Sequence, residues 1–393
     1  MFSALVNTEL VYNPPWERET LDSRLSSIQG ERPRVAWLYE KPDTSTYRYR
    51  VFNMVESLRA DRHGRASATW FELKDIPALL PRLAEIDTLV IARVRYDAKV
   101  ARLIATARSH GVRILFDCDD LVFDTRYVHL ILDTLAQGKS HEDLDWWFAY
   151  IGRIEATARL CDGGITTNEC LAERMEDVVQ GTVRIVPNFL NRLQQEVSDH
   201  LIAAKRMRQY ASDGPLTIGY FSGTPSHKQD FQIVIKSVCR ILDRYPDVRF
   251  RIVGFMDDIG ELAQYSNQVD RLPLHDWVNL QRLIAEVEVN IAPLQQNVFT
   301  NCKSELKFFE AAAVGTWTVA TPTMPFSKAM AGECTGRLCA AHDWDTGLDE
   351  AICLVRNRSK YASAAEANAD FVRRQYGWDC FANAILEATL PYE

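Results

Sequence analysis

Residues 287–321, VEVNIAPLQQNVFTNCKSELKFFEAAAVGTWTVAT, read as strand, loop, helix and strand. Positions 287–292 are a short apolar run ended by Pro293, which suits a buried parallel strand. The loop 294–302 follows. Helical spacing begins at Lys303, with Leu306, Phe309, Glu310 and Ala313 on neighbouring faces, and Gly315 closes the helix. Residues 316–320 form the next strand. A loop that opens a helix at the carboxyl end of a parallel strand offers free backbone N–H groups and the positive end of the helix dipole, so it suits an anion. Lys303, in the first turn, opposes the dipole but favours a phosphate. Glu310, two turns in, is placed to meet a ribose hydroxyl.

Working outward, the same alternation fills the chain. Strands are expected at 34–40, 68–73, 87–94, 112–117, 163–167 and 182–188, with helices at 46–60, 96–111, roughly 140–160 and 169–178 between them. A second set has strands at 216–223 and 248–254, helices at about 230–245 and 276–286, and then the opening stretch. Helices near 345–356 and 360–390 end the chain. Such alternation is the pattern of doubly wound parallel sheets, so the fold class is α/β with two Rossmann-like domains. The expected boundaries are an amino-terminal domain at 1–190 with a lead-in arm at 1–31, a connection at 191–214, a second domain at 215–370, and a final helix at 371–393 crossing back to the first.

Composition narrows the class. The 393 residues suit two domains of ordinary size, and a hydrophobic fraction of 47% suffices for two cores. A net charge of -8 without a basic stripe argues against nucleic acid as a partner. Nine cysteines show no paired ligand spacing, and Cys118, Cys239 and Cys353 sit in apolar runs, which fits a reducing cytoplasm. No signal peptide and no 18-residue apolar run are seen.

Two further strings carry chemistry. In GYFSGTPSHKQDF (219–231) a strand ends at Ser222-Gly223, and small residues with His227 and Lys228 suit close approach to an anion. In ILFDCDDLVFD (114–124), Asp117, Asp119 and Asp120 end a buried strand at the edge where such sheets bind ligands, while at least one Asp is expected to cap a helix and Asp124 to begin the next loop. In TSTYRYRVFN (44–53), Arg50 is expected on an exposed helix face and Arg48 is left open to an anionic group. Asn168 is expected to cap a helix, and Trp146, Trp147 and Tyr150 to pack in a core.

The ordered pieces YRV, DxDDLxFD, VPN, SGTxxH, APL and KSxxKxxEAA, spread over 34–385, resemble retaining glycosyltransferases of GT-B fold, the group 1 or family 4 type, in a bacterial subgroup. The resemblance implies two Rossmann-like domains facing across a cleft. It implies transfer of a sugar from a nucleoside diphosphate sugar to a hydroxyl of a glycan or glycolipid, without a metal or other cofactor, in bacterial surface polysaccharide synthesis. Glu310 matches the second Glu of the family's E-x7-E motif, which holds the ribose; the first falls on Cys302, a departure. Ser222, Gly223, Thr224, Lys228, Lys303, Ser304 and Lys307 would bind the donor diphosphate, with His227 stabilising the leaving group. Asp119 and Asp120 would act on the acceptor hydroxyl, with Arg48 and Asp117 on the acceptor side. A lipid-linked acceptor would bring peripheral association with the inner face of a membrane.

Two other readings compete. The acidic string also resembles the first motif of haloacid-dehalogenase-like magnesium phosphatases, with Asp117 as nucleophile, Asp119 as acid, and Ser222 and Asp257-Asp258 as later parts. Against this, the string follows about three strands instead of opening its domain, and the 303–310 helix is left unexplained. The other reading, prompted by Cys302, is a GT-B protein that binds a nucleotide sugar without turnover. A GT-B sugar-nucleotide epimerase is a further enzymatic alternative.

Overall fold

A computed structural model describes residues 1–2, 9–223, 228–256, 259–332 and 335–390, with the side chain of Lys228 left out. Two six-stranded sheets, parallel throughout, organise the chain. The first holds β1 (Arg34–Tyr39), β2 (Ser67–Glu72), β3 (Thr88–Ala92), β4 (Arg113–Asp117), β5 (Gly163–Thr166) and β6 (Val183–Ile185), in the order β2-β1-β3-β4-β5-β6. Every residue of β3 is buried, as expected of a strand covered by helices on both faces. The second sheet holds β7 (Leu216–Ser222), β8 (Val248–Gly254), β9 (Val269–Leu272), β10 (Val289–Ala292), β11 (Trp317–Ala320) and β12 (Arg337–Leu338), in the order β12-β11-β10-β7-β8-β9.

In each sheet the strand order reverses once, between β1 and β3 and between β7 and β10. Loops at the carboxyl ends of strands flanking such a reversal leave a crevice where ligands bind. Ser222 ends β7 and Ala292 ends β10, so the stretch from 293 onward leaves from the second crevice. The helix Arg192–Met207, capped by Asn191, joins the sheets and packs on the helix Trp277–Glu286. The long helix Arg358–Tyr376 covers the helix Leu306–Ala313. A separate helix, Ala382–Thr389, packs on Asn53–Arg59 of the first unit, where Thr88 Oγ1 donates to the Thr389 carbonyl at 2.8 Å. Phe381 stacks on Phe189 with centroids 4.4 Å apart.

Several elements depart from expectation. The helix near 303 begins at Leu306, and a short helix, Val298–Asn301, occupies the loop before it. The tail helix is two, broken at Gly377. The edge strands β9 and β12 carry no apolar run that marked them beforehand, and an additional helix, Val128–Thr134, apolar in sequence (VHLILDT), lies between the expected elements. Among the described residues no helix is long and apolar enough to cross a membrane.

Candidate active site

The segment 303–310 lies under the end of β7. Lys307 points its ammonium over the Tyr220 ring, 5.0 Å from the centroid. Lys307 Nζ and Ser304 Oγ are both buried without a hydrogen-bond partner among the described residues. Buried polar atoms are usually bonded, so two such atoms in one short segment give it capacity for a further hydrogen-bonding partner. Burial pulls the Lys307 pKa down to about 8, while Asp230 holds it up. Asp230 is itself buried and accepts from the Gln295 backbone N–H at 3.0 Å. Ser222 closes β7, and its carbonyl accepts from Phe255 N–H at 3.1 Å. Gly254, at φ +97°, permits that approach, since a Cβ there would sit 2.0 Å from the Ser222 oxygen. Gly223 follows on the exposed surface, while Thr224, His227 and the Lys228 side chain lie outside the described residues.

Glu310 is 5% exposed, and its surroundings come from both units. Tyr49 Oη donates to Oε1 at 2.5 Å, Gln194 Nε2 at 3.0 Å and Arg48 Nη2 at 3.4 Å. Oε2 accepts no hydrogen bond among the described residues. Arg48 also donates to Gln194 Oε1 and stacks 4.2 Å over Tyr49.

At the end of β4 the acids divide. Asp117, expected on the acceptor side, is fully buried, with Arg50 Nε on Oδ1 at 2.7 Å and Nη2 on Oδ2 at 3.0 Å. Both of its oxygens are used, so it is a strut between β4 and the turn Arg48–Phe52, which corrects its reading as an acceptor contact. The same geometry corrects Arg50, expected on an exposed face: its guanidinium is wholly inside and also donates to the Val186 carbonyl and Asn188 Oδ1. A carboxylate so buried cannot attack a phosphate ester, and this removes the geometry that the phosphatase reading needs; Asp257-Asp258 of that reading lie outside the described residues.

Asp119 and Asp120 instead lie partly open. Arg93 Nη1 is 3.9 Å from Asp119 and 3.7 Å from Asp120, and Thr46 Oγ1 lies 3.4 Å from Asp119. Arg93, directly after β3, adopts φ +51°, a left-handed backbone uncommon for a side-chain-bearing residue and typical of strained sites. Burial and the neighbouring Asp120 charge raise the Asp119 pKa to about 6, against Arg93. Ionising a carboxyl raised in this way costs stability as pH climbs from its ordinary 3.8 to about 6. Lys303 reaches across to Asp120, 3.4 Å away, so the two site strings meet.

The loop carrying Lys303 is clamped onto the first unit. Asn168 Oδ1 caps its helix by accepting from Leu171 N–H, as expected, and its Nδ2 also donates to the Cys302 and Lys303 carbonyls at 3.2 Å. Cys302 is fully buried with Phe299 in the core of the first unit, its thiol pushed up to about 12 by burial. It faces no ligand. Trp146, expected in a core, is 56% exposed and stacks on Tyr150 at 5.2 Å. Arg93 was missed although it follows an apolar strand at the ligand-binding edge. Tyr49 stood within the YRV string, and nothing in the sequence marked Gln194. Among the described residues no group of three or more His, Cys, Asp or Glu side chains is arranged to hold a metal ion.

Residues 215–357 match the family model described as glycosyl transferases group 1. No curated protein matches the chain at the sequence level. Among solved structures, HepE of Anabaena in complex with UDP-glucose superposes with a TM-score of 0.58 at 12% identity, over 90% of this chain and 98% of that one. Sucrose-phosphate synthase from Thermosynechococcus elongatus gives 0.56 at 14% identity, covering 91% and 98%. TarM of S. aureus, in complex with Fondaparinux, alpha-GlcNAc-glycerol and UDP, gives 0.53 at 12% identity, covering 81% of this chain and 59% of that one. The chain therefore has the GT-B fold, with a glycosyl transferase group 1 domain over residues 215–357.

Proposed function

We propose that the protein transfers a sugar from a nucleoside diphosphate sugar to a hydroxyl of a glycan or lipid-linked acceptor, with retention and without a required divalent ion, in surface polysaccharide synthesis. The observation that carries this reading is the pair of buried polar groups Ser304 Oγ and Lys307 Nζ, without a hydrogen-bond partner among the described residues, at the reversal point of the second sheet. Lys303 and Lys307 supply fixed positive charge where a departing diphosphate would develop negative charge, the work that a metal does elsewhere. Glu310 would take the ribose, and Asp119 would orient or deprotonate the acceptor hydroxyl with Arg93 and Thr46 holding it. The UDP and glycan ligands of the structural neighbours make uridine diphosphate sugars the first donors to try, and glycans the first acceptors.

Thermal shift against a panel of nucleoside diphosphates in EDTA tests the donor site. One diphosphate at 100 times its Kd should add about 2.7 kcal/mol to the folded state, and Glu310→Ala should remove most of that gain at the same concentration. No response to any nucleotide would sink the reading. A second experiment addresses Asp119. The rate constant kcat/KM should rise through about pH 6 as this carboxyl ionises, and Asp119→Asn should erase that limb along with most of the rate. An unchanged limb would assign it elsewhere.

A nucleotide-sugar-binding protein without turnover remains the second reading, favoured by the removal of Cys302 from the cleft. Incubation with donor and acceptor glycans, followed by product analysis, separates the two.

A further inference from the structure

A carboxylate meant for a sugar hydroxyl must be held still, yet keep an oxygen free. Glu310 meets both conditions. Three donors converge on Oε1, from Tyr49, Arg48 and Gln194, while Oε2 accepts nothing among the described residues. Its backbone carbonyl is fixed as well, accepting from Gln281 Nε2 at 2.7 Å, and Gln194 Nε2 also reaches Gln281 Oε1 at 3.3 Å. The donors come from elsewhere: Arg48 and Tyr49 from the turn after β1, Gln194 from the helix joining the two sheets. Tyr49 is additionally wedged edge-on against Phe309, centroids 6.2 Å apart, and the Arg48 guanidinium lies 5.1 Å from the Trp277 ring. Tyr49 is fully enclosed, and burial beside Glu310 drives its pKa well upward, so it stays the donor at any working pH.

We infer that Tyr49, Arg48 and Gln194 are positioning residues that fix Glu310 through Oε1 and aim Oε2 at one ribose hydroxyl of the donor nucleotide. Recognition of the nucleotide by the second unit thereby depends on contact with the first. This rests on the reading of Glu310 as the ribose-binding carboxylate. Two consequences follow from the geometry. Separation of the two units removes Tyr49 and Arg48 together and weakens the grip on ribose while leaving the diphosphate contacts of Ser304 and Lys307 intact. Loss of one hydrogen bond to the carboxylate likewise falls on the ribose term alone.

The test compares a nucleoside diphosphate with its 2′,3′-dideoxy counterpart and with inorganic pyrophosphate, by calorimetry on wild type, Tyr49→Phe and Gln194→Leu. Tyr49→Phe keeps ring and packing and deletes one hydroxyl, and the melting temperature of each unliganded variant reports whether it is folded. Wild type should prefer the ribonucleotide over the dideoxy form. In both variants that preference should fall by about tenfold, with pyrophosphate affinity unchanged. If wild type shows the preference and both variants retain it in full, the positioning role is wrong and the donor site stands. If wild type binds both nucleotides equally, or neither, the assignment of Glu310 itself falls, and this inference with it.

Discussion

Lys307→Met should lower the rate of sugar transfer by about 10²–10³-fold while the protein becomes no less stable, and more stable if anything. The rate loss is the usual size for removing one preorganised charge-stabilising group from a site where charge develops on a leaving group. The stability sign comes from burial. The Lys307 ammonium lies inside with no hydrogen-bond partner among the described residues, so the folded state carries a desolvation cost that an apolar chain of similar length removes. A residue kept only for packing would show the opposite signs. The pH dependence sharpens the test. With its folded pKa lowered from 10.5 to about 8, the lysine releases its proton more readily in the folded state, so stability grows as pH rises from about 8 towards 10.5. Over the same range the cation disappears and kcat/KM for the free enzyme should fall. Lys307→Arg, whose charge survives to far higher pH, should push this alkaline limb upward in whatever activity it retains. An alkaline limb that stays near pH 8 in the arginine variant would assign the titration to another group. Together with the acid limb near pH 6, the wild type should show a bell.

The fold was legible because its signal is coarse. Fully covered parallel strands read as largely apolar runs, and β3, β7 and β10 stood out on that ground. The edges did not: β12 is two half-buried residues, and β9 alternates charge without an apolar face, because an edge strand has one neighbour and little core to fill. At the site, Glu310, Lys303 and Lys307 could be placed because loop, helix and strand punctuation fixed the segment that bears them. Arg50 could not. Its face was drawn on a 3.6-residue period, whereas Arg48–Phe52 is a π-helical turn whose five residues are all buried, so the helical wheel put the guanidinium on the wrong side. The role of Tyr49 was hidden for a different reason. Its partner lies 261 residues away on the other unit, and no local pattern encodes a contact made only when two sheets meet.

The buried pair Arg50–Asp117 yields the largest expected effect on stability. Asp117→Asn should cost about 3–5 kcal/mol of unfolding free energy, because it strands a guanidinium that has no exposed surface and loses charge balance on both of its forks. Arg50→Met should cost a similar amount, for the mirror reason, with the Val186 carbonyl and Asn188 Oδ1 losing a donor as well. The double variant Arg50→Met/Asp117→Leu removes both charges and refills the volume. It should recover most of the loss, since a buried ion pair is worth little over a well-packed apolar substitute once neither charge is left alone. Denaturant titration of these proteins, with Asp117→Leu alone added to close the cycle, measures the coupling directly. A chemical role for Asp117 predicts a different pattern. As a phosphatase nucleophile it would be replaceable by Asn at near-wild-type stability, with magnesium-dependent hydrolysis abolished, and the Arg50→Met variant would gain nothing from a second change. Stability lost in each single variant and regained in the double one would place Asp117 in the framework that holds β4 against the Tyr49 turn, and leave the chemistry to Asp119.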